Sequence, residues 1–242
     1  DTPAVILHSG GTTGTPKGIV LSNGNFNAAT IQAQTVMNTV TKDDSVLAIM
    51  PIFHGFGLSV SINDVLSFGA KVVLIPTFKA SEFDKLLTKH KPSILVGVPT
   101  LFEALTTNER MKDVNLSHIK FVVSGGDTLS KSRITKINDF LHDHGANANL
   151  LQGYGMTESV AAVALDQQVA SRPGTIGIPF PGTYIKIVKP GTDEELGIDE
   201  DGELCICGPT VMLGYYNNEK ETNEAIALFG DKEANGIVLL KS

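Results

Sequence analysis

Short apolar runs recur between amphipathic stretches over most of this chain, and that alternation limits the folds open to it. The runs are Ala4 to Leu7, Val46 to Met50, Val72 to Ile75, Ile94 to Val96 and Phe121 to Val123. They are mostly without the polar alternation of a half-exposed strand, so they read as parallel strands buried on both faces. Helix candidates lie between them. Ser22 precedes a helical stretch from Asn23 to Met37. Ser81 is placed to cap a helix with Phe83, Leu86 and Leu87 on one face, ended by Lys91-Pro92. Ser130 is placed to cap another, with Ile134, Ile137, Phe140 and Leu141 inward and Gly145 at its end. Thr100 to Thr107 is a shorter third. The pattern predicts an α/β fold, a doubly wound and mostly parallel sheet with flanking helices, whose ligands bind beyond the carboxyl ends of the strands.

The texture changes after about Ser171. Pro and Gly punctuate the chain at Arg172-Pro173-Gly174, Pro179, Pro181-Gly182, Pro190-Gly191 and Gly197, and Tyr184 to Val188 and Glu203 to Cys207 read as strands. A small β-rich subdomain is expected over 172–218, with a tail over 219–242. The acidic turns at Asp193-Glu194-Glu195 and Asp199-Glu200-Asp201 lack EF-hand spacing and read as solvated loops.

A net charge of −7 excludes a generic nucleic-acid binder. No apolar run reaches the roughly 18 residues of a membrane helix, and no charged-then-apolar leader opens the chain. Cys205 and Cys207, alternating with Ile206, share one face of a strand and read as free thiols in a reducing cytoplasm.

Four stretches carry chemistry. Ser9-Gly10-Gly11-Thr12-Thr13-Gly14-Thr15-Pro16-Lys17-Gly18 packs glycines, hydroxyls and one lysine together, which suits a run of phosphate oxygens. It is not a Walker A loop, because Pro16 precedes Lys17 and Gly18 follows it. Pro51-Ile52-Phe53-His54-Gly55-Phe56-Gly57-Leu58 sets a histidine between aromatics and glycines, consistent with an apolar acyl pocket or with a helix start. Ser124-Gly125-Gly126-Asp127-Thr128-Leu129 follows a strand and precedes a helix. Gln152-Gly153-Tyr154-Gly155-Met156-Thr157-Glu158 offers a flat aromatic for stacking, a hydroxyl for a phosphate oxygen and a carboxylate for Mg²⁺. No Gly-x-Gly-x-x-Gly follows the first strand, which disfavours an NAD-type domain.

These stretches, with Gly202-Glu203-Leu204-Cys205-Ile206-Cys207-Gly208 and Gly214-Tyr215-Tyr216, resemble in order and spacing the motifs of the adenylate-forming enzymes, most closely the acyl-CoA synthetases. The resemblance implies an acid–thiol ligase that activates a carboxylic acid, of fatty type, with ATP and Mg²⁺ and passes it to coenzyme A. An aryl- or amino-acid adenylating domain and a non-catalytic nucleotide-binding module are the alternatives. By the resemblance, Ser9, Gly10, Gly11, Thr12, Thr13, Gly14, Thr15 and Lys17 hold ATP phosphates. Gly125, Gly126, Asp127, Gly153, Tyr154, Gly155 and Thr157 border AMP, with Tyr154 stacked on adenine and Thr157 on the α-phosphate. Glu158 takes the metal, and Phe53 and His54 meet the acyl substrate. Thr157, Glu158 and Lys17 form the catalytic set. Asp127-Thr128 replaces the family's more usual Ala-Pro. No acid stands in the Phe53-His54 motif, where peptide-synthetase domains keep an aspartate, and this favours a plain carboxylic acid. Walls of the pocket are expected near Phe53, Val98 and Val160. Residues 1–171 would form the nucleotide-binding core. The family's N-terminal portion and its C-terminal lid with a catalytic lysine have no counterpart in these residues, so the chain reads as a core fragment of low activity by itself.

Overall fold

The computed structural model describes residues 2–9, 16–168, 171–228 and 237–239. The chain begins with β1 (Pro3–Ser9), β2 (Lys17–Ser22) and α1 (Asn23–Val36). It continues with β3 (Ser45–Ala48), a π-helical stretch Phe56–Asn63, α2 (Asp64–Ser67), β4 (Lys71–Leu74) and α3 (Phe83–His90). Next come β5 (Ile94–Gly97), α4 (Pro99–Thr107), β6 (Phe121–Ser124), α5 (Lys131–Asp143), β7 (Leu150–Gly155) and β8 (Ala162–Leu165). The final elements are β9 (Ile178–Pro179), β10 (Tyr184–Val188), β11 (Glu203–Cys207), β12 (Gly214–Tyr215), α6 (Glu219–Ala225), β13 (Ile226–Leu228) and β14 (Ile237–Leu239).

The centre is a seven-stranded sheet in the order β4-β3-β5-β6-β7-β8-β9. Pairing is parallel from β4 to β7 and antiparallel from β7 to β9. Alternate residues of one strand serve opposite faces. Leu95 and Val122 pack with Phe83 and Leu87 of α3, Leu101, Phe102 and Leu105 of α4, and Ile134, Ile137 and Leu141 of α5. Ile94, Val96 and Phe121 pack on the other face with Val65 of α2 and Val60 of the π-helical stretch. Helices therefore cover both faces, as a doubly wound sheet requires.

Local chemistry explains the helix limits. Ser22 and Asn25 form a reciprocal capping box at α1. Pro99 opens α4 at its first turn, where its missing N–H has no partner to lose. The Ser130 hydroxyl accepts from the Arg133 N–H and caps α5. Lys91 takes φ 44° at the end of α3, just before Pro92.

Two expectations need correction. Ala4 to Leu7 does not belong to the parallel sheet. It lies in β1, which pairs antiparallel with β2, and β2 with β12, in a separate three-stranded sheet. Ser9 ends β1, and Lys17 and Gly18 open β2, so both ends of the glycine-rich stretch are strand residues. Ser81 does not cap α3. It lies within a single 3₁₀ turn Ala80–Glu82, and Glu82 precedes the helix with no side-chain cap.

Strands β10 and β11 belong to a third sheet, ordered β10-β11-β14-β13. Buried amides fasten the neighbouring loops to α1. Asn25 Nδ2 donates to the carbonyls of Pro209 and Val211, each at 2.8 Å. Gln32 Nε2 donates to the Pro181 carbonyl at 2.9 Å and Thr183 Oγ1 at 3.0 Å. Cys205 is buried and Cys207 half-buried, and neither is in a disulfide. No helix among the described residues is long and apolar enough to cross a membrane.

Candidate active site

Gly125 and Gly126 follow the end of β6, and Gly153, Tyr154 and Gly155 finish β7. Thr157 and Glu158 sit in the 3₁₀ turn Thr157–Ser159 directly after it, and His54 precedes the π-helical stretch. A cavity of about 210 Å³ reaches all three segments. His54, Gly125, Gly126, Tyr154 and Thr157 line its upper part, and its walls continue down one face of the sheet past Val96 to Ile94, Val65 and Phe68. Its upper part therefore lies at the carboxyl ends of β6 and β7, where ligands of such sheets bind.

The backbone here is packed too tightly for larger residues. A Cβ on Gly55 would collide with the Val160 carbonyl oxygen, and one on Gly155 with that of Ala161. Val160 itself takes φ 70° and ψ −62°, rare for a β-branched residue, and is fully buried. The Ala161 N–H donates to the Ser159 carbonyl across it at 2.9 Å. Such strain, held by its surroundings, gathers at functional sites.

A chain of polar contacts runs alongside. The Tyr215 hydroxyl, from β12, donates to Glu158 Oε1 at 3.0 Å. Burial, and then the Glu158 charge, keep that phenol protonated well above its ordinary range. Lys17 Nζ, at the start of β2, lies 5.0 Å from the centre of the Tyr215 ring and 2.5 Å from Glu221 Oε2 of α6. That ammonium holds the Glu221 carboxyl below its ordinary value. Ser9 and Lys17 face each other across the β1–β2 hairpin. Gly10, Gly11, Thr12, Thr13, Gly14 and Thr15 lie outside the described residues.

The sequence profile of the AMP-binding enzymes matches residues 1–216. The chain belongs to that family. Relatives include the probable 4-coumarate–CoA ligase 1 of Dictyostelium discoideum, 37% identical over 92% of this chain and 40% of that protein. The long-chain-fatty-acid–CoA ligase of Haemophilus influenzae is 36% identical over 92% of this chain and 40% of its own length. The crystal structure of ATP-bound MatB from Rhodopseudomonas palustris superposes with a TM-score of 0.85 at 26% identity, covering 99% of this chain and 45% of that one. The chain thus spans about 40% of the length of the curated relatives it matches.

Within this AMP-binding chain, some expected site residues are not brought to the cavity. Phe53 is 77% exposed and absent from the lining, where Phe56 stands. Asp127 is exposed and turns its carboxylate to the Thr128 N–H at 2.7 Å. Val98 is not a lining residue, whereas Val96 and Val160 are. Three residues gain a place that sequence reasoning did not give them. Tyr215 and Glu221 join Glu158 and Lys17, and Asp64 reaches the cavity as its one acidic lining residue among the described residues.

Among the described residues no group of three or more His, Cys, Asp or Glu side chains converges as for a protein-caged metal. A lone buried carboxylate beside a threonine hydroxyl is the donor set of a magnesium ion held mainly by substrate phosphates and water. Glu158 and Thr157 fit that description.

Proposed function

We propose that this chain is the nucleotide-binding core of an AMP-forming acid–CoA ligase, acting in the cytoplasm on an apolar carboxylic acid of fatty type. The observation that carries the reading is the cavity that joins apolar walls at Ile94, Val96 and Val160 to Tyr154 and Thr157 at its mouth. An acid bound there has its chain among apolar side chains and its carboxylate beside the hydroxyl and the aromatic ring.

The carboxylate attacks the α-phosphorus of ATP, forming acyl-adenylate and releasing pyrophosphate. A carboxylic acid with a pKa near 4 is ionised at neutral pH, so no general base is needed. The work of the site is positioning and electrostatic stabilisation. Tyr154 and the backbone at Gly125, Gly126, Gly153 and Gly155 receive the adenosine. Thr157 donates to the α-phosphate. Ser9, the 10–15 stretch and Lys17 hold the outgoing phosphates. His54 stands at the acyl end. Glu158 would hold magnesium, which supplies neutralisation of the phosphate charge. Transfer to coenzyme A follows in the whole protein. Residues 1–171 form the core in this reading and 172–218 a smaller β-rich unit, whose sheet takes β13 and β14 from the 219–242 tail.

The test is ATP–pyrophosphate exchange by the whole protein with fatty, aryl and amino acids. Acid-dependent exchange that is lost in Glu158→Ala is expected. Exchange unchanged by Glu158→Ala overturns the assignment of that residue. No exchange with any acid, while ATP still raises the melting temperature, replaces the ligase reading with a nucleotide-binding module.

A further inference from the structure

The cavity has a floor, and the floor holds a carboxylate. Asp64, at the first position of α2, is only 5% exposed and lines the cavity among Met37, Val65 and Phe68. The eight-residue stretch Phe56–Asn63 separates it from the upper part of the cavity, on the order of 10 Å of helix. Its Oδ1 accepts the Thr30 hydroxyl at 3.2 Å and the Ser59 hydroxyl at 3.4 Å. Asn63 Nδ2 donates to Thr30 Oγ1 at 2.7 Å and so turns that hydroxyl's hydrogen toward the carboxylate.

Holding Thr30 and Ser59 needs one acceptor oxygen, which an asparagine carbonyl supplies without burying an ionisable group. Placing a carboxylate among apolar side chains is unfavourable unless something is gained there. We propose that the acid accepted by this site carries a hydroxyl at the end far from its own carboxylate, and that Asp64 on the cavity floor receives that hydroxyl. The proposal rests on the adenylation reading above. Burial lifts the Asp64 carboxyl to about 7, so near neutral pH both forms are present and either can bond a neutral hydroxyl. An α-amino acid does not suit the arrangement, because its ammonium sits beside the carboxylate at the mouth. A distant ammonium needs a full negative charge, which this carboxyl only partly carries.

The test is pyrophosphate exchange by the whole protein with pairs of acids that differ only at the far end, hydroxyl against methyl. Wild type should prefer the hydroxylated member about tenfold or more in kcat/KM, because a polar group built for a hydroxyl is left unpaired by the methyl analogue. Asp64→Leu should reverse the preference, and Asp64→Asn should reduce it with KM carrying most of the change. Where Asp64→Leu does not fold, the wild-type pairs and Asp64→Asn still decide. Equal rates for both members in wild type overturn the proposal and leave the adenylation reading standing. A preference that survives in Asp64→Leu overturns it, as does preference for an acid with a terminal amine. No exchange with any acid overturns both readings together.

Discussion

Tyr215 and Glu158 are joined by a 3.0 Å hydrogen bond although 57 residues separate them in the chain. The bond ties the short strand β12 to the turn that follows β7, and the phenol has no competing reason to ionise. It fixes one oxygen of the carboxylate proposed to hold magnesium. Hydrogen bonds to charged groups contribute about 1.5–3 kcal/mol. Tyr215→Phe keeps the ring beside Lys17 and removes only this donor. Adenylation by the whole protein should fall about tenfold or more, with more magnesium needed for half-maximal exchange and a melting temperature lower by a few degrees. A magnesium titration of pyrophosphate exchange checks it; an unchanged magnesium requirement sinks the positioning role.

Gly55 is required by its neighbour rather than by its own backbone, which is ordinary right-handed helix at φ −52°. Its missing Cβ leaves room for the Val160 carbonyl, and Leu7 Cδ1 lies 3.5 Å from the same point. Gly55→Ala forces Val160, already strained at φ 70°, to move, and the shift passes to Thr157 and Glu158 three and two residues earlier. Overpacking of this kind costs about 1–3 kcal/mol. Urea unfolding should show that loss, and exchange activity should fall further than the lost stability accounts for. An alanine variant with wild-type midpoint and rate would show that the turn yields freely.

The central strands are legible in the sequence because burial on both faces leaves an uninterrupted apolar run, as at Ile94 to Val96 and Phe121 to Val123. The same signal misleads at Ala4 to Leu7. There the run reflects β1, whose Leu7 packs in the cluster of Ile19, Val160 and Ile206 rather than in the large sheet. Strand β7 is hidden because Gly153 and Gly155 interrupt it, and Gly155 serves close approach to the Ala161 carbonyl rather than a turn. The site motifs are legible as residue types at fixed spacing, which locates His54, Tyr154 and Thr157 on one cavity, with Glu158 next to Thr157 in the chain but outside the lining. Tyr215 and Glu221 are not, because their partners lie in distant parts of the chain. Asp64 does leave a signal: it is a lone carboxylate in the apolar stretch Leu58 to Leu66, ten residues after His54 and outside the Phe53-His54 motif.

Asp64 also sets a pH dependence. Burial, only partly offset by the Thr30, Asn63 and Ser59 hydrogen bonds, raises its carboxyl from 3.8 to about 7. The folded state therefore binds a proton that the unfolded state has released between these values. Its stability falls as pH rises from about 4 to about 7, and the full penalty is present above 7. That rise corresponds to about 4 kcal/mol as an upper bound. Thr30, Ser59 and Asn63 around it do not titrate, and His54 shares the cavity. Asp64→Asn keeps an acceptor for both hydroxyls and removes the ionisation. It should melt higher than wild type at pH 8, with the advantage shrinking at pH 5. Melting differences that are equal at the two pH values would show that the carboxyl does not titrate in this range.

The Lys17–Glu221 pair sets the last expectation. Lys17 is proposed to meet ATP phosphates, yet its ammonium is bonded to a carboxylate of α6 at 2.5 Å. Phosphate binding must then displace or share that partner, and α6 competes with the nucleotide for one cation. Both side chains are partly exposed, at 21% and 33%, so solvent screening keeps the competition weak. Glu221→Gln removes the competing charge and retains a side chain of the same size. Affinity for ATP should rise a few-fold at low salt, and the gain should shrink as ionic strength rises. In a Lys17→Ala background the same Glu221→Gln change should leave ATP affinity where it was. Calorimetric titration with ATP at two salt concentrations, on wild type, each single variant and the double variant, measures this. An affinity that falls in Glu221→Gln would instead mean that the carboxylate holds Lys17 in the posture the phosphates require.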